Sequence, residues 1–196
     1  MVAKLKLSRG FAASAERTAE TLRRELGLQA HDPLCAFRLC EHLQVKVFVS
    51  DHVLGLCPES AQALNHPGRS EWSAVTIPYH TSQRASFLII HNQTHGPARQ
   101  QSNIMHEIAH ILCGHGKSAI DVDMGFPAYM RHYPAEQELE AECLGATLQL
   151  PRPALLASLR RGWDHEAIMQ HYQASAQMVR LRLNKTGVER QLQYQR

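Results

Sequence analysis

Apolar residues in the first part of the chain recur at helical spacing. One stripe predicts an amphipathic helix over residues 12–27, ended by Gly27, because the charged residues of this segment fall on the opposite face. The stripe consists of Phe11, Ala15, Ala19, Leu22 and Leu26. A second helix is predicted to run to about Leu43, with Asp32 as its N-cap and Pro33 in its first position.

Three later stretches are rich in β-branched and aromatic residues and predict strands at 45–49, 72–78 and 86–91. The polar segment 50–73 is predicted to be mostly loop, and 79–84 to be a turn. Helical spacing dominates the chain beyond these strands. The sequence therefore predicts an α+β fold, mostly helical, with a small sheet of about three strands.

Three short helices are predicted near the end of the chain, at 154–160, 166–172 and 175–183. The last two have the apolar spacing of a helix-turn-helix, and the basic residues that could contact DNA there are Arg180, Arg182, Lys185 and Arg190. Two helices joined by a short turn are also a common packing unit, which is the interpretation we adopt. The predicted division is a main domain, 1–151, with a C-terminal helical unit, 152–196, packed on it.

Composition and charge narrow the class of protein. The chain has 196 residues, enough for one domain with a proper core, and its net charge of +3 does not demand a nucleic-acid partner. It has no apolar run of 18 residues and no secretory h-region near Met1, and its five cysteines form no Cys-x-x-Cys pair. We expect a cytoplasmic protein with reduced thiols and no membrane association.

The candidate chemistry centres on residues 106–110, which read His-Glu-Ile-Ala-His. Residues four apart on a helix share a face, with Cβ atoms about 5–6 Å apart, so His106 and His110 can converge on one metal ion. Zinc binds imidazole, and a catalytic zinc usually keeps one position for water. Glu107 would lie beside that position as a general base. The apolar residues around the motif predict a largely buried helix: Ile104, Met105, Ile108, Ile111 and Leu112.

A third ligand has to come from another part of the chain. The extended motif of a metzincin is absent, because Cys113 and Gly116 occupy its glycine and histidine positions. A second predicted helix, 136–150, begins with four glutamates, and packing against the first helix could deliver one of them to the metal. Acidic residues are also favoured at any helix N-terminus. Spacing alone leaves the choice open among Glu136, Glu138, Glu140 and Glu142.

These motifs resemble those of the ImmA/IrrE family of metallopeptidases, in which His-Glu-x-x-His precedes a helix of the form Glu-x-Glu-Ala-Asn that ends in Leu-Pro. The resemblance implies a zincin-like domain that binds one zinc, or another divalent metal, per chain. It makes Glu138 the third ligand, with Glu140 as the alternative. It also implies that Glu142, where the family usually has Asn or Asp, holds a ligand histidine from outside the metal's own shell, which Glu140 could share.

The same resemblance implies a strand that binds the substrate. In these metallopeptidases an edge strand beside the zinc helix pairs with an extended peptide, and the candidate segment is Phe87, Leu88, Ile89 and Ile90. An ordinary core strand is the alternative.

A peptidase also needs a donor aimed at the developing oxyanion. Tyr133 is the first candidate, because it lies in the long linker 114–135 just before the helix with the glutamates. Arg131 and His132 are the alternatives.

The predicted function is zinc-dependent hydrolysis of a peptide bond. By the family resemblance, the substrate is a regulatory protein, either a helix-turn-helix repressor or an antitoxin, whose cleavage lifts repression during a stress response. Two alternatives stay open. One is a non-catalytic module that captures the repressor stoichiometrically, against which the retained Glu107 argues. The other is a DNA-binding regulator acting through the C-terminal helices.

Overall fold

The computed structural model describes residues 5–49, 72–80, 85–115 and 133–194, and it has the predicted α+β architecture. A three-stranded sheet lies against the helix that carries the His-Glu-x-x-His motif. The remaining elements in these ranges are helices, none of which is long and apolar enough to cross a membrane.

Eight helices and three strands follow one another in the described ranges. The strands are β1, Lys46–Val49; β2, Ala74–His80; and β3, Ala85–His91. In chain order the helices are α1, Phe11–Glu25; α2, Ala36–His42; α3, Pro97–Cys113; α4, Ala135–Gln149; α5, Arg152–Arg160; α6, His165–Tyr172; α7, Ala176–Thr186; and α8, Val188–Gln193. The His-Glu-x-x-His motif lies on α3, and the glutamates that follow it lie on α4.

The strand order in the described sheet is β1-β3-β2, so β3 is central. β1 runs parallel to β3 and pairs with residues 88–91, and β2 runs antiparallel to β3 over its whole length. The expectation that β3, with Phe87 to Ile90, offers a free edge is therefore wrong, because both neighbouring strands occupy its backbone groups. Ile89 is fully buried, and Phe87 packs against the same core. Among the described strands, β2 has an unpaired outer edge and also contacts α3.

The start of α2 differs from the prediction. Asp32 does not cap the helix, because its carboxylate accepts a hydrogen bond from the Gln29 N–H at 2.8 Å. The helix begins instead at Ala36, whose N–H donates to the side-chain oxygen of Gln101 on α3 at 3.0 Å. The amide nitrogen of Gln101 also donates to the Leu34 carbonyl at 2.6 Å. A side chain distant in sequence thus supplies the cap that local spacing assigned to Asp32.

Most of the predicted loop 50–73 lies outside the described residues, as do 81–84 of the predicted turn and 116–132 of the long linker. The described cysteines, Cys35, Cys40, Cys113 and Cys143, form no disulfide.

α3 and α4 approach each other closely at one position. A Cβ atom built on Gly145 would lie 3.1 Å from the Cα and N atoms of His106 and from the carbonyl oxygen of Met105. Only a residue without a side chain allows two helix backbones to come this near. The contact therefore brings the α4 backbone directly against the motif on α3.

The C-terminal helices enclose a hydrophobic cluster of their own, and a buried arginine joins them to α1. The Arg182 guanidinium donates to the Leu150 carbonyl at 2.7 Å and to the Glu16 carboxylate at 2.6 Å. The three predicted helices are present, followed by the additional helix α8. Arg182, one of the basic residues that suggested DNA binding, is buried in this contact. The domain boundary after residue 151 stays a prediction.

Gly145→Ala tests the close approach of the two helices. The added methyl group would meet backbone atoms of His106 that cannot move aside alone, so we expect the free energy of unfolding to fall by about 1–3 kcal/mol. Helix propensity alone predicts the opposite sign, a gain of about 1 kcal/mol when Ala replaces Gly. Urea unfolding followed by circular dichroism measures the change. Unchanged or increased stability would contradict the packing described here.

Candidate metal centre

Three donor atoms converge where α3 meets the first turns of α4. The Nε2 atoms of His106 and His110 are 3.0 Å apart. In the Glu138 carboxylate, Oε2 lies 3.2 Å from Nε2 of His106 and Oε1 lies 3.8 Å from Nε2 of His110. A tetrahedral zinc with bonds of about 2.0–2.1 Å holds its ligand atoms about 3.3 Å apart, so this triangle fits one such ion. The three residues form a group that could hold a metal, with Glu138 rather than Glu140 as its third member.

The two histidines differ in burial, and this makes the site accessible from one side. The His110 side chain is 1% exposed, whereas those of His106 and Glu138 are 29% and 41% exposed. Burial, together with the nearby His106 and His115, lowers the pKa of His110 to about 3. His110 is therefore neutral at physiological pH, which is the form that binds a metal ion. Water therefore reaches the triangle on the side of His106 and Glu138.

Glu107 lies next to this triangle on α3, in a buried position. The Thr76 hydroxyl, on β2, donates a hydrogen bond to its carboxylate at 2.6 Å. Burial raises the pKa of Glu107 above its ordinary value, although the hydrogen bond from Thr76 and the nearby His106 oppose the increase. A carboxylate with a raised pKa accepts and returns a proton more readily near neutral pH, as a general base must.

A chain of contacts leads away from the buried ligand. Nδ1 of His110 lies 2.9 Å from Nδ1 of His115, and Nε2 of His115 lies 3.2 Å from the Glu140 carboxylate. Glu140, the predicted alternative ligand, is thus connected to the site through His115.

Tyr133 is in contact with the site, as the sequence suggested. Its ring stacks on that of His110, with centroids 3.8 Å apart and an interplanar angle of 17°. The role of Tyr133 as an oxyanion donor stays a prediction. The alternatives, Arg131 and His132, lie outside the described residues.

The family resemblance implies that Glu142 holds a ligand histidine, but its side chain lies elsewhere. It is exposed and lines a cavity of about 560 Å³ between α1, α4 and α7. Among the described residues, its carboxylate forms no ion pair with His106 or His110, so the expected contact with a ligand histidine is wrong. The side chain that contacts His110 is instead that of His115.

Two residues of the site were not assigned from the sequence. Thr76 gave a weak signal as a polar residue between Val75 and Ile77 in an apolar strand. His115 gave another, because it follows Gly114 directly after the helix with the motif. Both contacts join separate elements of the fold, so neither follows from local spacing.

The candidate metal site predicts which substitutions lower the affinity for Zn²⁺. Loss of a contact around a ligand already lowers metal affinity 10–100-fold, so His110→Ala, which removes a ligand, is expected to lower it more than about a hundredfold. Isothermal titration with Zn²⁺ measures this affinity. The matched control is His165→Ala, which removes a histidine that also faces a glutamate, Glu189 at 3.4 Å, but on the exposed surface of α6.

A chelator provides a second measurement on the same variants. A metal that binds only the folded protein raises its Tm, so EDTA should lower the Tm of the wild type and of His165→Ala. It should leave the Tm of His110→Ala unchanged. An equal zinc content in His110→Ala and the wild type would contradict the assignment of His110 as a ligand.

Comparison with known proteins gives a family match over more than half of the chain. The model of the peptidase M78 family, described as the IrrE N-terminal-like domain, matches residues 56–184. This range includes the motif on α3 and Glu138. A search among curated proteins finds no match. Because the family model covers more than half of the chain, this protein belongs to the IrrE N-terminal-like family of peptidases.

Proposed function

We propose that this protein is a zinc-dependent endopeptidase that cleaves one peptide bond in a regulatory protein. The observation that carries the proposal is the His106, His110 and Glu138 triangle with the buried Glu107 beside it. Membership of a peptidase family supports hydrolysis. The resemblance to the ImmA/IrrE family supports a helix-turn-helix repressor or antitoxin as the substrate, and cleavage would lift repression in the cytoplasm during a stress response.

The metal and the side chains have separate tasks in this reaction. A zinc ion held by His106, His110 and Glu138 would supply a Lewis acid that polarises the scissile carbonyl and lowers the pKa of water toward about 7. Glu107 accepts a proton from the attacking water and delivers it to the leaving amine. The hydroxyl of Thr76 keeps the carboxylate of Glu107 in place for both transfers.

The outer edge of β2 is the proposed binding position for an extended substrate. The Ser73 carbonyl accepts a hydrogen bond from the Asn92 N–H at 3.0 Å, continuing the register of β2 with β3. Backbone groups alternate in direction along an antiparallel strand, so those of Thr76 face away from β3. A peptide paired there would lie beside the strand whose Thr76 side chain reaches Glu107. Pro78 agrees with this geometry, because proline is confined to edge strands within sheets.

Tyr133 is the proposed oxyanion donor. Its ring stacks on His110, which places it at the metal site, and a hydroxyl donor there would stabilise the developing negative charge.

The structure gives less support to DNA binding through the C-terminal helices. Arg182 is 5% exposed, and its guanidinium donates hydrogen bonds to Leu150 and Glu16. It is therefore not on the surface that could contact DNA. Arg180 and Lys185 on α7 and Arg190 on α8 are exposed. Three exposed basic residues on two helices are few for a recognition surface. We therefore retain the packing role for this unit.

Glu107→Gln separates hydrolysis from capture. The wild type, incubated with the repressor encoded nearest to it in the genome, should give one discrete cleavage product by mass spectrometry. Glu107→Gln should retain zinc and bind the repressor but give no product, because the amide cannot accept the proton. Relief of repression by Glu107→Gln equal to that by the wild type would instead establish stoichiometric capture.

Thr76→Val tests the support of the general base. The substitution keeps the branched shape but removes the hydrogen bond to Glu107, so we expect kcat to fall about tenfold to a hundredfold with zinc content unchanged. Thr76→Ser retains the hydroxyl and is the matched control, expected to stay close to the wild-type rate. Equal rates for Thr76→Val and the wild type would contradict a role for this bond in catalysis.

A further inference from the structure

We infer that His115 is a positioning residue that, anchored by Glu140, holds His110 in the orientation and tautomer that present its Nε2 atom to the metal. The inference rests on the proposed metal-dependent function, which it deepens. Its basis is the chain of contacts from His110 through His115 to Glu140.

The end of α3 brings His115 back toward His110. Gly114 has a φ of 73°, in the left-handed region, and serves as the C-cap of the helix. The backbone N–H of His115 then donates to the His110 carbonyl at 3.0 Å, as in a Schellman motif. The backbone thus reverses at Gly114, and the two imidazoles meet although they are five residues apart. Glycine is favoured at this cap because it has no Cβ to clash.

The hydrogen bonds among His110, His115 and Glu140 can be assigned in one direction, with each residue donating to the next. An Nε2 atom that binds a metal leaves the hydrogen of a neutral imidazole on Nδ1. His110 therefore donates from Nδ1 to Nδ1 of His115, across 2.9 Å. His115 must then carry its own hydrogen on Nε2, which it donates to the Glu140 carboxylate at 3.2 Å. The carboxylate, which can only accept, fixes the tautomers of both histidines.

Burial strengthens this arrangement. The His115 side chain is 5% exposed and that of Glu140 is 28% exposed, so water has little access to the bond between the two histidines. The rings of His110 and His115 meet edge to face, with centroids 5.1 Å apart. Tyr133 contacts both rings and restricts their rotation. A hydrogen bond in such surroundings is stronger than one in water, and its loss leaves a buried N–H without a partner.

Two substitutions at position 115 separate the hydrogen bond from simple space filling. His115→Phe keeps a planar ring but removes the acceptor, and it is expected to weaken Zn²⁺ binding about 10–100-fold. His115→Asn keeps an acceptor oxygen close to the position of Nδ1, and it should recover at least half of that loss on a logarithmic scale. Competition of the purified full-length protein with a chromophoric zinc chelator measures both affinities. Thermal unfolding of the metal-free forms checks that the variants are folded.

Glu140→Gln provides an independent test on a partly exposed side chain, which should fold even where a change at His115 does not. It removes the charge that fixes the tautomers, so we expect Zn²⁺ affinity to fall severalfold. In the double variant with His115→Phe, Glu140→Gln should add almost nothing, because the two residues act in one chain. The visible absorption spectrum of the Co²⁺ form should change in each variant, since it reports ligand geometry. Glu136→Gln, an exposed glutamate in the first turn of α4, is the matched control and should change neither quantity.

Wild-type affinity and an unchanged Co²⁺ spectrum in His115→Phe and Glu140→Gln would overturn the inference. So would equal losses in His115→Phe and His115→Asn, which would assign a packing role to His115. These outcomes leave the proposed function intact as long as His110→Ala loses the metal. If the wild type itself binds no Zn²⁺, the proposed function fails and the inference with it.

Discussion

The contact between α3 and α4 is the constraint on which the site depends. The helical repeat of α3 places two histidines on one face without further help. The third donor has to come from another helix, and a metal site tolerates errors of only about half an ångström in ligand position. Gly145 has no side chain to separate the helices, so the α4 backbone lies against His106. Glu138, two turns earlier on α4, then falls within 3.2 Å of the same imidazole.

Two buried arginines fix the other end of α4. Arg23 on α1 donates to the Leu148 carbonyl at 2.8 Å, and Arg182 on α7 donates to the Leu150 carbonyl at 2.7 Å. The last carbonyls of a helix lack internal partners and carry partial negative charge, so cations stabilise them. The last turn of α4 contains no basic residue of its own, and these charges therefore come from two other helices. Burial lowers the pKa of Arg23 to about 10, which still leaves it charged at neutral pH. Helices α1 and α7 thus help to position the helix that bears Glu138, the proposed third ligand.

Local patterns predicted most helices and strands of this fold. Where the structure differs from the prediction, contacts between distant segments are the cause. The spacing of His106 and His110 predicted α3, and the apolar stripe predicted α1. Both patterns lie within one helix, and the structure has both helices. Strand order is not local, because a short apolar run has the same sequence pattern in a central strand as at an edge. The pattern therefore could not decide that β3 is the central strand. The start of α2 depends on Gln101, 65 residues away. Thr76 and His115 likewise acquire their roles from partners on other elements.

The glutamates of the site show how position, not residue type, assigns a chemical role. Residues two apart on a helix do not share a face, so Glu138 and Glu140 cannot both bind one metal. Glu138 reaches the histidine pair, whereas Glu140 reaches His115. Glu107 is buried, and the resulting rise in its pKa suits proton transfer. Glu138, by contrast, is 41% exposed and lies against the histidine pair. In the proposed function, these different environments separate a ligand, a base and an anchor among identical side chains.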